Sequence, residues 1–323
     1  MQINRRDLIT SAGLALLGSA LPARAAAVRS IGGAAFGSYW RATLPVGADF
    51  AYLSKGLQGV LDQVDQQMSP FKPASDLMRL NAAKGGIWLP LTPDLHAVVA
   101  ESLAIARLTG GAFDPTVGPV VGRFGFGPIK GAARLGFGAL DLGPEGLKKA
   151  DPRATLDLCG IAKGYALDRM ADLLRDAGIS TFMLEAGGEV YAHGLHPDGR
   201  TWQVGIERPG LPDTGFQRII TLDGLALATS GQSANGGQIN GVGFSHIIDP
   251  GLARPVVSDV LSVSVLAPMA STADALATAL MVLGPVDGPA LANRQGISAL
   301  FLAKTGDGLR EIMTGLFSRH VVI

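Results

Sequence analysis

Cysteine is almost absent from this chain: Cys159 stands alone among 323 residues. A single thiol excludes an internal disulfide, a thiolate zinc cluster and a lipid-bearing N-terminal cysteine. Charge is scarce as well. Asp, Glu, Lys and Arg make up 17% of the chain, 27 acidic against 27 basic residues, so no field of one sign points to nucleic acid or a membrane surface. The G-x-x-x-x-G-K-[ST] pattern of P-loop ATPases is missing. The nearest approach to a dinucleotide fingerprint, Gly125-Phe126-Gly127-Pro128-Ile129-Lys130-Gly131, puts Pro128 where a helix should start. Long polar linkers, repeats and low-complexity blocks are lacking too, which favours one compact unit.

What is present begins with an address. Residues 1–25, MQINRRDLITSAGLALLGSALPARA, run from paired Arg5 and Arg6 through an apolar stretch, Leu14 to Leu21, to small residues at Ala23 and Ala25. That order predicts a cleavable secretory leader, and the arginine pair predicts twin-arginine export of a folded protein to the periplasm. The run is too short and too rich in Gly and Ser for a bilayer span, so no direct membrane insertion is expected; an uncleaved N-terminal anchor is the alternative. Losing Arg5, Arg6, Arg24 and Asp7 would leave 24 basic and 26 acidic residues from the 27 of each, a formal charge of −2. Residues 28–323 are then the functional domain. Export of a folded chain already raises the prospect of a cofactor.

Periodicity predicts three helices before the C-terminal third. Leu53, Leu57, Val60, Leu61, Val64 and Met68 mark the first. Thr92 as N-cap with Pro93 at the first helical position opens the second, which ends near Gly110. The third runs from about Lys163 to Ala177 and stops at Gly178. Short strands are predicted at 180–185, 201–207, 217–222, 225–229 and 260–266. Several strands in succession favour antiparallel pairing and an α+β fold, with mixed, largely antiparallel sheets and flanking helices.

A fourth helix, residues 272–284 (TADALATALMVLG), carries Asp274 and Thr278 one turn apart. Leu276, Ala279, Leu280 and Leu283 form its apolar stripe. Two hard oxygen ligands on an anchored helix suit Mg2+, although Asp274 could equally cap the helix start. Other clusters stay open in the same way. Gly111-Ala112-Phe113-Asp114-Pro115-Thr116 is either a helix-ending loop or an exposed Phe–Asp pair for a ring system. Gly160-Ile161-Ala162-Lys163-Gly164 lies where a helix begins, with glycines for close backbone approach and a lysine. It is a phosphate seat or an ordinary strand-to-helix turn. Glu185-Ala186-Gly187-Gly188-Glu189 and Ala228-Thr229-Ser230-Gly231 both follow short apolar strands, and each is either part of a site or merely a tight turn. His246-Ile247-Ile248-Asp249-Pro250 places a histidine near a carboxylate, for acid–base work or for structure.

Together and in order, GAFDPTVGPVV, LDLCGIAKGYALD, EAGGEV, ATSG, HIIDP and ADALATALMVLG resemble the ApbE family of FAD:protein FMN transferases. Phe36-Gly37-Ser38 and the stretch from Met68-Ser69-Pro70-Phe71 to Leu80-Asn81 fit the same pattern, so the likeness covers about residues 34–302. The resemblance implies an ApbE-like, T-fold-related unit that uses Mg2+ and FAD to attach FMN to a Thr or Ser hydroxyl of a partner protein, releasing AMP. It implies that Asp274, Thr278 and the Ala162 carbonyl hold the metal. Phe36, Phe71, Asn81, Ala112, Phe113 and Asp114 would line the flavin and adenosine pocket. Cys159, Lys163, Tyr165 and Ile248 would lie along the FAD, with His246 beside the diphosphate as the candidate catalytic base and Asp274 as the second catalytic residue. Cys159, Phe36 and Glu189 depart from the more common Gly or Ser, Met and Asp. The implied acceptor is a flavin-carrying subunit of a membrane respiratory complex; FAD hydrolysis to FMN and AMP, and non-catalytic FAD carriage, are the alternatives.

Overall fold

The computed structural model describes residues 27–209, 215–232, 237–239, 242–306 and 308–323; the leader at 1–25 lies outside the described residues. Along the chain, β1 (Val28–Ala35) and β2 (Ser38–Pro45) form a hairpin before α1 (Phe50–Met68), α2 (Asp76–Ala82), β3 (Trp88–Leu89), α3 (Pro93–Leu108) and α4 (Gly118–Arg123). Next come β4 (Leu140–Gly143), β5 (Gly146–Lys149), α5 (Ala162–Asp176), β6 (Phe182–Ala186), β7 (Glu189–His193), β8 (Trp202–Glu207), β9 (Phe216–Leu222) and β10 (Leu225–Gly231). The last third holds β11 (Gly237–Ile239), β12 (Val242–Phe244), β13 (Ile248–Asp249), β14 (Arg254–Pro255), β15 (Val260–Ala267), α6 (Ala270–Gln295), β16 (Ser298–Thr305) and β17 (Gly308–Thr314).

Eight strands make one sheet in the order β1-β2-β6-β7-β10-β15-β16-β17, with antiparallel neighbours throughout. This is the α+β architecture the sequence predicts. Helices α1, α5 and α6 pack on one face over the main apolar core. The β8–β9 ribbon and the short helix at Phe317–His320 cover the other face over a second core of Trp202, Ile220, Leu222, Leu300 and Phe317. Being covered on both sides, β7 and β15 are buried along almost their whole length, so they read as continuous apolar runs rather than alternating ones.

Local chemistry sets the helix starts. The Asp49 carboxylate accepts from Tyr52 N at 3.0 Å to cap α1, and Thr92 Oγ1 accepts from Leu95 N at 3.3 Å to cap α3 ahead of Pro93. α6 departs from expectation. It extends to Gln295, with a kink at Gly284 (φ 73°) followed by Pro285, where glycine takes a conformation the helix interior does not. Its length and apolarity would suffice to cross a bilayer, but packing accounts for them: it lies against β10, β15 and α5. Nor is it amphipathic. Leu276, Ala279 and Leu280 are buried as predicted, and so are Asp274, Ala275 and Ala277 on the other side. The polar face of α6 looks into the protein.

Candidate active site

The site forms where α5 and α6 begin, beside the β6–β7 turn and the end of β10. Gly164, in the first turn of α5, has no room for a side chain: a β-carbon there would stand 2.3 Å from the Ala270 carbonyl oxygen. That contact brings the two helix starts together. Asp274, only 4% exposed, accepts a long bond of 3.3 Å from Gly164 N. The positive end of α5 therefore faces a carboxylate of the protein itself rather than lying open as a phosphate seat. The capping alternative for Asp274 does not hold, because α6 starts at Ala270, a full turn earlier, after Met269. The acceptor there is Asp168 of α5, which takes Ala270 N at 2.6 Å and Ser271 N at 2.9 Å.

Lys163 reaches the next strand pair. Gly187 and Gly188, both at positive φ, make the two-residue β6–β7 turn, and Glu189 immediately after it pairs with Lys163. Burial lowers the lysine pKa, yet the Asp274 and Glu189 carboxylates outweigh it and hold the ammonium above its ordinary value. Burial pushes Glu189 up to about 7 against the pull of Lys163, and its Oε2 is buried without a hydrogen-bond partner among the described residues. Asp274 is likewise raised, first by burial. One firm cation thus stands among two buried carboxylates.

Hydroxyls complete the cluster. Thr278 Oγ1 lies 3.3 Å from Ser230 Oγ at the end of β10. Gly160 fits between Thr278 and Phe113, each of which a β-carbon there would meet at 3.3 Å. His246 is brought within electrostatic reach of Lys163; burial first, then that charge, lowers its pKa, so the ring is neutral at pH 7. Its Nδ1 is buried without a hydrogen-bond partner among the described residues, and its ring meets Phe126 edge-on at 6.2 Å. The carboxylate near it in sequence is occupied elsewhere, Asp249 accepting from Leu252 N at 3.0 Å. Cys159 is exposed, but the protein around its sulfur and the Asp157 carboxylate push the thiol well above its usual range. It is no thiolate nucleophile.

Several predicted pocket residues serve differently. Phe113 and Asp114, expected to be exposed, are 4% and 6% exposed. Asp114 is spent on its own loop, accepting from Thr116 N at 2.8 Å, Thr116 Oγ1 at 2.6 Å and Phe137 N at 3.1 Å, because Asp-Pro-Thr folds into a side-chain-bonded turn. Ala112 is buried beside them. Asn81 clamps the chain leading to the site, donating to Leu156 O at 2.8 Å and accepting from Leu156 N at 2.7 Å. Tyr165 donates to Asp94 of α3 at 2.7 Å. Ile248 is buried in β13. Phe36 sits at positive φ in the β1–β2 turn on a cleft of about 430 Å³ shared with Leu61, Asp62 and Asp65 of α1. Phe71 is exposed.

The donor set fits a hard divalent cation that keeps ligands from a substrate. Asp274 is a buried carboxylate with one long hydrogen bond among the described residues, and Thr278 and Ser230 add hydroxyl oxygens. Ala162, expected to lend its carbonyl, opens α5 two residues before Gly164. No group of three or more His, Cys, Asp or Glu suited to a metal occurs among the described residues. A cation here would therefore depend on neutral oxygens and phosphate, as Mg2+ commonly does. Sequence alone puts Ser230 in a candidate cluster without a role and does not single out Asp168. Asp168 had a signal: it is a charged residue on the otherwise apolar buried face of Gly164, Leu167, Ala171 and Leu174.

A family model described as ApbE family matches residues 36–301. The chain belongs to the ApbE family. A relative from Vibrio cholerae serotype O1 named FAD:protein FMN transferase is 38% identical over 283 residues, 84% of this chain and 85% of that protein. A relative of the same name from Escherichia coli K12 is 33% identical over 310 residues, 90% of this chain and 88% of that protein. Among solved structures, flavin transferase ApbE from Vibrio cholerae superposes with a TM-score of 0.82 at 33% identity, covering 91% of this ApbE-family chain and 99% of its own. The apo flavinyl transferase ApbE of Pseudomonas stutzeri gives 0.82 at 32% identity, covering 91% and 96%.

Proposed function

We propose that this chain is an FAD:protein FMN transferase that moves FMN from FAD to a Thr or Ser hydroxyl of a partner protein and releases AMP. The observation that carries this reading is the buried Asp274 carboxylate beside the Thr278 and Ser230 hydroxyls and the Lys163 ammonium. Such a site offers oxygen ligands and positive charge to a diphosphate. Asp274, Thr278 and the Ala162 carbonyl would hold Mg2+, which supplies charge neutralisation at the diphosphate and its departing oxygen.

The remaining roles belong to the chain. Lys163, braced by Glu189, presents a fixed ammonium to the phosphate oxygens, the positioning and electrostatic help that phosphoryl-type transfer chiefly needs. The acceptor oxygen bonds to the phosphorus of the FMN half of FAD. The bridging P–O bond breaks, and AMP leaves with the bridging oxygen. The hydroxyl proton passes to His246, neutral at pH 7. The paired Arg5 and Arg6 and the small residues at Ala23 and Ala25 support export through the twin-arginine route, which would place the acceptor, a respiratory-complex subunit, on the periplasmic side.

The test is nucleotide release from FAD and Mg2+ with and without a Thr-bearing acceptor domain. AMP that appears only with the acceptor supports transfer. Equal AMP and free FMN without acceptor would make the chain a hydrolase, and bound FAD with no AMP would make it a carrier.

A further inference from the structure

α5 and α6 exchange aspartates at their N-terminal ends. α6 starts after Met269, whose side chain makes no capping bond, and Asp168 of α5 supplies the acceptors for Ala270 N and Ser271 N at 2.6 and 2.9 Å. In return Asp274 of α6 accepts from Gly164 N of α5 at 3.3 Å. Gly164 and Asp168 are one turn apart, and so are Ala270 and Asp274. The exchange therefore spans a single turn of each helix, closed by the backbone contact that only a glycine at 164 permits. Asp168 is 4% exposed, and both its carboxylate oxygens accept from the start of α6.

We infer that Asp168 is the positioning residue of the cation site, holding the first turn of α6 on α5 and so fixing Asp274 and Thr278 relative to Ala162 and Lys163. The inference rests on the metal site proposed above. Free N–H groups at a helix start let the first turn fray or tighten, and Asp274 lies one turn further on. Mg2+ demands near-ideal octahedral geometry, so a small shift of that turn weakens binding before it unfolds anything. The neighbours of Asp168 agree with a role beyond packing. Burial pushes its carboxyl up to about 6 despite the two N–H bonds, Glu101 of α3 adds to the rise, and Tyr191 of β7 faces it. Glu101 itself accepts from Ser271 Oγ at 3.1 Å and Thr272 Oγ1 at 2.6 Å, tying the same turn to α3.

The experiment titrates the flavin-free full chain with MgCl2 and reads the rise in Tm, for wild type and Asp168→Asn. Outer partners of metal ligands typically change affinity about 10–100-fold. The Mg2+ midpoint of Asp168→Asn should therefore rise about tenfold or more. The Mg2+ dependence of FAD turnover should move in parallel, with kcat at saturating Mg2+ within about twofold and FAD binding without Mg2+ unchanged. A folded Asp168→Asn with the wild-type midpoint, or one that loses kcat with an unmoved midpoint, overturns the inference. Should Asp168→Asn fail to fold, Asp168→Glu is read by the same criterion. A wild type that does not respond to Mg2+ at all removes the metal site itself and the inference with it.

Discussion

Both faces of the central sheet cover apolar cores, but the helical face also buries a cluster of charges. Under α5 and α6 lie Asp168, Glu189 and Asp274, each no more than 4% exposed, around the Lys163 ammonium. Under the β8–β9 ribbon lie Trp202, Ile220, Leu222 and Phe317, with His196 edge-on to Trp202. Buried carboxylates with raised pKa values weaken a fold whenever they are ionised, whereas a closely packed aromatic and aliphatic layer strengthens it. The helical face carries its buried charges at a cost in stability that the apolar core around them and the ribbon face together offset. Substitutions on the two faces should then separate activity from stability.

The sharpest separation is expected at Asp274. Asp274→Ala should lower FAD turnover at saturating Mg2+ by about 10³-fold, the upper range for loss of a charge-stabilising group, with Tm within a few degrees of wild type. Full activity would break the metal assignment. Phe317→Ala should do the reverse. Loss of a fully buried phenyl ring costs about 3–5 kcal/mol, read by urea unfolding, while activity at 25 °C in the folded fraction stays within about twofold. His246→Gln should cost about 10²-fold in turnover, within the range of a general base, and leave FAD binding intact by flavin fluorescence; equal loss of binding would make it a positioning group.

The smallest effect is in pH. Folded Asp168 at about 6 and Glu189 at about 7 lie above their ordinary values of 3.8 and 4.5. The folded chain thus binds protons more readily than the unfolded one, and stability should fall as pH rises from about 4 to 7, then level off. Tm measured from pH 5 to 8 should show that slope. Glu189→Gln should flatten its upper part, and an unchanged slope would contradict the raised carboxyl.

Much of this was legible in the chain because the signals were local. Thr92-Pro93, Gly178 and the Gly187-Gly188 pair announce a helix start, a helix stop and a hairpin turn through their own backbone chemistry. Asp274 and Thr278 were found together because helical spacing puts them on one side. The misses were non-local. Asp114 and Phe113 looked exposed because nothing near them in sequence shows that the chain at Gly136 and Phe137 folds over them. The apolar stripe of α6 was real, yet burial of the opposite side depends on α5, which arrives through Gly164 from more than 100 residues away. Asp168 stayed hidden for the same reason: the helix it caps is not its own.

If the buried oxygens at the α5–α6 start serve FMN transfer, intact-mass spectrometry of an acceptor domain will register it. The acceptor is incubated with the chain, FAD and Mg2+, in parallel with EDTA and with Asp274→Ala. The acceptor should gain one FMN phosphoester, and both controls should lose that gain. An acceptor that gains FMN equally with Asp274→Ala would contradict that role for the buried oxygens.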